Sequence, residues 1–135
     1  MSGFLLDTDI CVFRILGHHD LESKFNMFEN ECFLSEITVA ELRFGAERGN
    51  RKEEQHHIVD VMCNQFKVLP ITKTIRIYAA EKARLWERGT KIEDFDLLIG
   101  ATALYYDLTL VTNNTRHFER MQSLRIENWI KKEKT

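Results

Sequence analysis

Three acidic side chains and one amide stand where short apolar runs of the sequence end or where helices are predicted to begin. Asp7 directly follows the run Phe4-Leu5-Leu6, and Glu41 lies one turn into the helix predicted after the next run. Asp96 opens a further helix, and Asn114 follows a later apolar run. Because ligands of open α/β sheets collect beyond the carboxyl ends of the strands, we expect these four side chains to meet at one edge.

Carboxylates gathered at one edge would repel each other unless a positive charge lay between them. The sequence contains no C-x-x-C or H-E-x-x-H spacing, so a hard, oxygen-preferring ion is favoured over zinc. We therefore expect Mg²⁺, for which Mn²⁺ can substitute. Such an ion lowers the pKa of bound water and neutralises charge on a phosphodiester, which is the chemistry of phosphate-ester hydrolysis.

Each of these acids also has a purely structural explanation. The pattern Thr38-x-x-Glu41 fits a capping box, in which the glutamate returns to the N–H of the cap residue. Asp96 lies at a predicted helix start, where the helix dipole stabilises any carboxylate, and Asp9 fits a helix N-cap. Asp7 is the hardest to explain structurally, because a carboxylate against a buried strand end needs a partner.

Other residues are candidates for contacts with a substrate or a partner. Arg43 and Arg116 fall on helices beside the acidic segments and could contact phosphates. His117 could serve as an acid or a base, although a loop histidine is more often simply exposed. Segments 21–28 and 58–66 carry more large apolar residues than small helices need, which fits either core packing or a groove for a partner segment. The formal net charge of −2 argues against a protein that coats nucleic acid by bulk attraction.

The elements that must position these residues follow from the apolar pattern. Runs that indicate strands lie at 4–6, 32–35, 66–71, 108–112 and 124–126. Helical spacing fills the intervals between them, with Asp20, Thr72 and Asp94 as expected N-caps. Strands that alternate with helices predict a three-layer α/β/α fold with a central parallel sheet flanked by helices.

The length of 135 residues suits one compact domain and is too short for two. We expect a single domain over 1–135, with its core at about 4–129 and a loose tail at 131–135. The three cysteines are an odd number among apolar neighbours, which favours reduced thiols in a cytoplasmic protein over a disulfide framework. Since no apolar run approaches membrane-spanning length, we expect no membrane partner.

Four motifs, in order along the chain, resemble those of PIN-domain ribonucleases. The segment Leu6-Asp7-Thr8-Asp9 resembles L-D-T-N, and residues 35–42 resemble S-x-I-T-x-x-E-L. Residues 94–101 resemble x-x-D-x-x-I-A-A, and residues 110–118 resemble L-V-T-x-[DN]-x-x-x-F. The resemblance runs from about Phe4 to Trp129 and is strongest to the VapC-like branch, the toxins of bacterial toxin–antitoxin pairs.

This resemblance implies a PIN-like fold and a Mg²⁺-dependent endoribonuclease that acts on structured RNA such as tRNA. It also implies inhibition by a cognate VapB-type antitoxin and a homodimer. It assigns catalytic roles to Asp7, Glu41 and Asp96, with Asp7 and Asp96 as direct or water-mediated metal ligands.

Two positions depart from the family pattern. Asp9 stands where asparagine is common, and Asn114 stands where many PIN domains have an acid. The residue that completes the acidic site is therefore open among Asn114, Asp94, Asp9 and Glu119.

Two other functions compete with this interpretation. A phosphoacceptor signalling domain also clusters carboxylates around Mg²⁺, but it requires a lysine after a late strand, and residues 112–114 supply none. A non-catalytic PIN-like binding module would have no need of Asp7, Glu41 and Asp96.

Overall fold

Five parallel strands form one sheet in residues 3–130, which are the residues that the computed structural model describes. The strands are β1 (Phe4–Leu6), β2 (Cys32–Ser35), β3 (Lys67–Leu69), β4 (Thr109–Val111) and β5 (Ile126–Glu127). They pair in the order β3-β2-β1-β4-β5, and every pair is parallel. The predicted parallel sheet is confirmed, whereas the loose tail predicted at 131–135 lies outside the described residues.

Helices occupy the intervals between the strands. They are α1 (Thr8–Ile15), α2 (Glu22–Met27), α3 (Glu36–Arg48), α4 (Lys52–Gln65), α5 (Ile75–Glu87), α6 (Asp94–Tyr105) and α7 (Thr115–Phe118). Two short 3₁₀ turns, Glu29–Glu31 and Thr72–Thr74, complete the described elements. Among residues 3–130, no helix has the length and apolar character that crossing a bilayer requires.

The sheet divides the core into two halves because successive strand residues point to opposite faces. Leu6 and Val111 pack with α1, α2 and α4 on one face, while Leu5 and Leu110 pack with α5, α6 and α7 on the other. The sequence of a strand that is buried on both faces is a continuous apolar run, as in Phe4-Leu5-Leu6. The predicted three-layer α/β/α architecture is therefore confirmed.

Several predicted helix starts are wrong in detail. The Ile37 backbone N–H donates to Ser35 Oγ (3.1 Å), so Ser35 caps α3 and Thr38 lies buried inside the helix. This excludes the capping box that was considered for Thr38 and Glu41. Asp20 is not an N-cap either, because its φ of 45° is left-handed and α2 begins two residues later.

The remaining two caps also differ from expectation. Thr72 lies in a 3₁₀ turn that precedes α5, and α6 begins at Asp94 itself, after Glu93 and without a side-chain cap. These starts depend on how the preceding loop enters the helix, which a residue type alone does not determine.

The strand order places a topological switch point beside the central strand. From β1 the chain moves outward through β2 to β3, and then returns to the other side of β1 as β4. Leu6 is in register with Val111, and the Asp7 N–H donates to the Val111 carbonyl (2.9 Å). Asp7 and Thr112 therefore lie side by side just beyond the carboxyl ends of the two strands, where α/β sheets bind ligands.

Gly45 and Gly100 both lie inside helices, but of these two glycines only Gly100 packs closely against the side chain of another residue. A Cβ on Gly100 of α6 would overlap Met121 Sδ, whereas a Cβ on Gly45 of α3 would have nothing within 4 Å. We expect Gly45→Ala to raise the free energy of unfolding by about 0.5–1 kcal/mol, because the unfolded chain loses entropy. We expect Gly100→Ala to lower it by about 1–3 kcal/mol through overpacking.

Urea unfolding of both variants beside the wild type measures these changes. Equal stabilisation by the two substitutions would show that Met121 moves aside without cost, and would contradict the packing argument.

Candidate active site

Asp7 is buried at the end of β1, with both carboxylate oxygens engaged. Its side chain is only 5% exposed. Oδ1 accepts from the Thr8 N–H (2.8 Å), which makes Asp7 the N-cap of α1, and Oδ2 accepts from Thr112 Oγ1 (2.8 Å). The partners that a buried strand-end carboxylate needs are thus supplied by the next residue and by the neighbouring strand.

Asp9 lies in the first turn of α1 and faces the same edge. Its Oδ2 accepts from the Asn113 N–H (3.0 Å), so it ties α1 to the loop after β4. Its Oδ1 is buried and has no hydrogen-bond partner among residues 3–130. The expectation that Asp9 is an N-cap is wrong, because Asp7 holds that position and Asp9 instead presents an unsatisfied oxygen beside it.

Glu41 is joined to this edge by a hydrogen bond from the Thr8 hydroxyl. Thr8 Oγ1 donates to Glu41 Oε1 (2.6 Å), and it also lies 3.2 Å from Thr38 Oγ1. Thr8 is the residue after Asp7, so α3 is joined to the end of β1 by a short chain of side-chain contacts. The glutamate is positioned beside the aspartates without touching them directly.

Asp96 approaches the edge from the other layer of helices. It lies in the first turn of α6, and its Oδ2 is 3.1 Å from His117 Nε2 on α7. That ring nitrogen is buried and lacks a well-aligned hydrogen bond within the described residues. The expectation of a merely exposed loop histidine is wrong, since the His117 side chain is 21% exposed and lies against Asp96.

The pKa values of the three aspartates at this edge are all raised. Burial raises the pKa of Asp7 to about 7, and the charges of Asp9 and Asp96 add to this, against hydrogen bonds from Thr112 and Thr8. Burial likewise raises the pKa of Asp9 and of Asp96, and in Asp96 the neighbouring His117 opposes the shift. Each carboxyl holds its proton more tightly chiefly because burial removes water that would solvate the charged form.

The donor set fits a hard divalent cation that keeps much of its water. Within residues 3–130, no three His, Cys, Asp or Glu side chains converge closely enough to form a complete cage. Mg²⁺ does not need one, because it is commonly held by one or two carboxylates with water and substrate phosphate filling the shell. The unsatisfied Oδ1 of Asp9 and the raised carboxyl pKa values are what such an ion would relieve.

Other candidates lie away from this edge or point elsewhere. Asp94 Oδ1 accepts from Lys82 Nζ and from the Tyr78 hydroxyl, both at 2.8 Å, so it faces α5. Glu119 is exposed beyond α7, and Arg43 is bound to Asp60 and to the His56 carbonyl on α4. Asp9 is therefore the additional acid that the structure brings to Asp7.

Two exposed residues around the edge were named from the sequence, Asn114 as a candidate to complete the acidic site and Arg116 as a candidate phosphate contact. Asn114 is exposed directly before α7, and Arg116 is exposed within that helix, next to His117. Neither side chain is held by a partner within residues 3–130, so both are free to meet a ligand.

Sequence reasoning missed the two threonines that organise the site. Thr8 links Glu41 to the end of β1, and Thr112 bonds Asp7 while its Oγ1 accepts from the Asn114 N–H (3.0 Å). The signal in the sequence was the position of these threonines: Thr8 lies two residues after the end of β1, and Thr112 lies one residue after the end of β4. It could be interpreted only with the knowledge that β1 and β4 are neighbours.

Comparison with known proteins shows the family to which the chain belongs. The PIN domain family matches residues 4–124. The chain belongs to the PIN-domain family. It is 34% identical over 134 residues to ribonuclease VapC2 of Rickettsia felis, covering 95% of this chain and 98% of the relative. It is 32% identical over 131 residues to the tRNA(fMet)-specific endonuclease VapC of Shigella flexneri, covering 96% and 99%.

Solved structures show the same fold. A chain of the DNA-bound VapBC from Salmonella typhimurium superposes on this PIN domain with a TM-score of 0.91 and 33% identity, over 96% of this chain and 99% of that one. A chain of VapBC2 from Rickettsia felis bound to a promoter DNA fragment gives a TM-score of 0.88 and 30% identity, with the same coverage. PIN-domain ribonucleases in general depend on a divalent metal ion.

The raised pKa of Asp7 has a consequence for stability without metal. Below about pH 4 both folded and unfolded states hold the proton, so this contribution to stability is complete. As pH rises through about 7, the carboxyl must ionise in a buried place and the contribution is lost. We expect Asp7→Asn to remove this part of the loss, and to make the metal-free protein more stable than the wild type at about pH 8.

Thermal unfolding in EDTA across this pH range measures the effect. Asp107→Asn is the matched control. The Arg125 guanidinium lowers the pKa of Asp107, so the ionised carboxylate stabilises the fold, and its removal should lower stability at about pH 8. A wild type whose stability is unchanged from about pH 4 to 8 would contradict the burial argument.

Proposed function

We propose that this PIN domain is a metal-dependent endoribonuclease, the toxin component of a toxin–antitoxin pair. The observation that carries the proposal is the edge at which the buried Asp7 meets the partly buried Asp9 and Asp96, all three with raised pKa values. The hydrogen bonds that Asp7 and Asp9 accept supply no positive charge, and a divalent cation with a phosphodiester would neutralise these carboxylates. The names of the relatives from Rickettsia felis and Shigella flexneri, a ribonuclease and an endonuclease, support the same activity.

We assign Asp7 and Asp96 as metal ligands, direct or through water, and Asp7, Glu41 and Asp96 as the catalytic residues. Mg²⁺ is the proposed ion, with Mn²⁺ able to substitute. When bound, the ion supplies an activated water and charge neutralisation at the phosphate.

The chain's own groups orient that chemistry. Thr112 and the Thr8 N–H hold the Asp7 carboxylate in place, while the Thr8 hydroxyl holds Glu41 Oε1. Glu41 Oε2 has no partner among residues 3–130, which leaves it free to orient a water or accept its proton. His117 faces Asp96 from α7 and closes the other side of the edge.

The proposed substrate is structured RNA such as tRNA, in keeping with the tRNA-specific Shigella flexneri relative. We place this activity in the cytoplasm, where such RNA is found, and the chain's three cysteines are unpaired as a reducing compartment requires. The homodimer implied by the family stays a prediction, to be measured by light scattering. A non-catalytic binding module is the second candidate, and the cleavage assay below separates the two.

A surface groove suits the antitoxin. Segment 21–28, for which the sequence left core packing and a groove open, buries Leu21 and Phe25 in the core. An apolar groove of about 200 Å³ lies between α1, α3 and α4, and it includes Leu16, Gly45 and, at the edge of the active site, Glu41. Leu16 is 59% exposed there, which is costly for a leucine without a partner. We propose that an apolar helix of a VapB-type antitoxin fills this groove, in keeping with the VapBC complexes among the similar structures.

Removing one charge from the site should abolish cleavage while the fold survives. We expect Asp7→Asn and Asp96→Asn each to lower the rate of RNA cleavage by about 100-fold or more, since each removes charge that the transition state requires with little change of volume. Cleavage should require added Mg²⁺ or Mn²⁺. Gel assays with a labelled tRNA measure this, with Asp107→Asn as the exposed control. Undiminished cleavage by protein shown to be free of metal would refute the carboxylate mechanism.

Two further variants identify the additional acid. Calorimetric titration of Mn²⁺ should show weaker binding in Asp9→Asn and unchanged binding in Glu119→Ala, because only Asp9 lies beside Asp7. The reverse pattern would assign the position to Glu119.

A larger side chain in the groove should weaken inhibition by the antitoxin without changing the rate of RNA cleavage. A Cβ at Gly45 meets no atom within 4 Å, so Gly45→Leu can project into the groove without disturbing the fold. We expect it to leave RNA cleavage unchanged and to weaken inhibition by the antitoxin about 10-fold or more, since a well-packed apolar contact is lost. Ala83→Leu, on the exposed surface of α5, is the control. Full inhibition of Gly45→Leu would place the antitoxin elsewhere.

A further inference from the structure

A second concave surface adjoins the acidic edge on the opposite side from the antitoxin groove. This cleft, of about 310 Å³, lies between the end of α5 and the start of α6, and Leu85 and Leu97 are among its apolar lining residues. Its volume is at the lower end of small-ligand sites, which span roughly 300–1,000 Å³. It suits a flat group the size of one nucleoside and is too small for a helix.

Trp86 forms one wall of the cleft and is the most exposed large apolar residue of the described chain, at 71%. Within residues 3–130 its indole has no aromatic pair, cation–π contact or hydrogen bond. The other tryptophan, Trp129, is 4% exposed and stacks on Phe28. An exposed indole beside an apolar floor is the kind of surface on which single-stranded bases stack.

The cleft is continuous with the candidate active site. His117 lines it, and the Nε2 atom of the same residue lies 3.1 Å from Asp96 Oδ2. Asp94, two residues before Asp96 on α6, also lines the cleft. A nucleotide bound here would therefore adjoin the one whose phosphate faces the acidic edge.

The charges of the cleft suit a nucleotide with a particular base edge. Lys82 and Asp94 neutralise each other at 2.8 Å. Lys91 and Glu93 also line the cleft, and neither side chain has a partner within residues 3–130. The ammonium can meet a phosphate, and the carboxylate can accept from an amino group on a base. Guanine, adenine and cytosine carry such a group, and uracil does not.

We propose that this cleft binds one unpaired base of the RNA next to the cleavage site, stacked on Trp86, with Lys91 at its phosphate and Glu93 at its amino edge. The inference rests on the proposed ribonuclease function and adds to it a binding site that selects the flanking nucleotide. It makes Trp86 a residue that contributes affinity for a base and Glu93 the residue that distinguishes between bases, and Trp86 is separate from the acidic edge.

The two tryptophans provide a direct test in the whole protein. In EDTA, where RNA is not cut, iodide should quench Trp86 and leave the buried Trp129 unaffected. Adding the trinucleotides GGG, AAA or CCC should quench Trp86 and shield it from iodide, and UUU should do so least. Trp86→Ala should weaken binding of a labelled trinucleotide, followed by anisotropy, about 5-fold or more, whereas Trp86→Phe retains most of the affinity.

Two further variants control the experiment. Phe44→Ala removes an aromatic side chain that is 64% exposed on α3, away from the cleft, and should leave trinucleotide affinity unchanged. Glu93→Gln should narrow the difference between UUU and the other trinucleotides, because an amide can donate to uracil as well as accept.

Three outcomes would overturn the inference. One is a wild type that cleaves RNA but whose Trp86 emission does not respond to any trinucleotide. Another is equal affinity in Trp86→Ala and the wild type. The third is iodide access to Trp86 that falls with rising protein concentration in the absence of RNA, because a second copy of the chain would then cover the indole. A chain that neither binds nor cleaves RNA with Mg²⁺ or Mn²⁺ would instead overturn the proposed function itself.

Discussion

The parallel pairing of β1 with β4 is the contact on which the arrangement of the acidic edge depends. Each strand has three residues, and the register of Leu6 with Val111 places Asp7 against Thr112. A slip of one residue would turn every side chain of β1 to the other face, because side chains alternate along a strand. The apolar residues of both strands are buried on two sides, so the core that stabilises the fold also fixes the position of the carboxylate.

The position of these carboxyl groups lowers the stability of the fold at a pH where they are ionised. Asp7, Asp9 and Asp96 are each harder to ionise in the fold than in water, chiefly because burial removes their solvation. The hydrogen bonds from Thr8, Thr112 and the Asn113 N–H offset part of this cost, but they bring no positive charge. The three carboxyl groups therefore come together at the point where a cation and a phosphodiester would neutralise them.

Both helical layers contribute to the same edge. Helices α1 and α3 bring Asp9 and Glu41 from one face of the sheet, and α6 and α7 bring Asp96 and His117 from the other. The two layers leave different surfaces beside the edge. An apolar groove that includes Gly45 lies on the first side, and a cleft with an aromatic wall and unpaired charges lies on the second. An inhibitor and a substrate could thus approach the same carboxylates from opposite faces of the sheet.

The sequence by itself determined the fold class, the approximate positions of the first four strands and three of the acids at the edge, because these follow from local periodicity and from motifs that are contiguous in the chain. The last strand, expected at 124–126, lies instead at Ile126–Glu127. The sequence could not determine that Asp9 rather than Asp94 or Glu119 joins Asp7, since all three lie near a helix end. Only the tertiary structure decided this, by pairing Asp94 of α6 with Lys82 of α5 and by leaving Asp9 Oδ1 buried beside Asp7. Likewise Thr8, Thr112 and His117 acquire their roles from partners 33, 105 and 21 positions away, and contacts at such separations depend on how the strands are ordered.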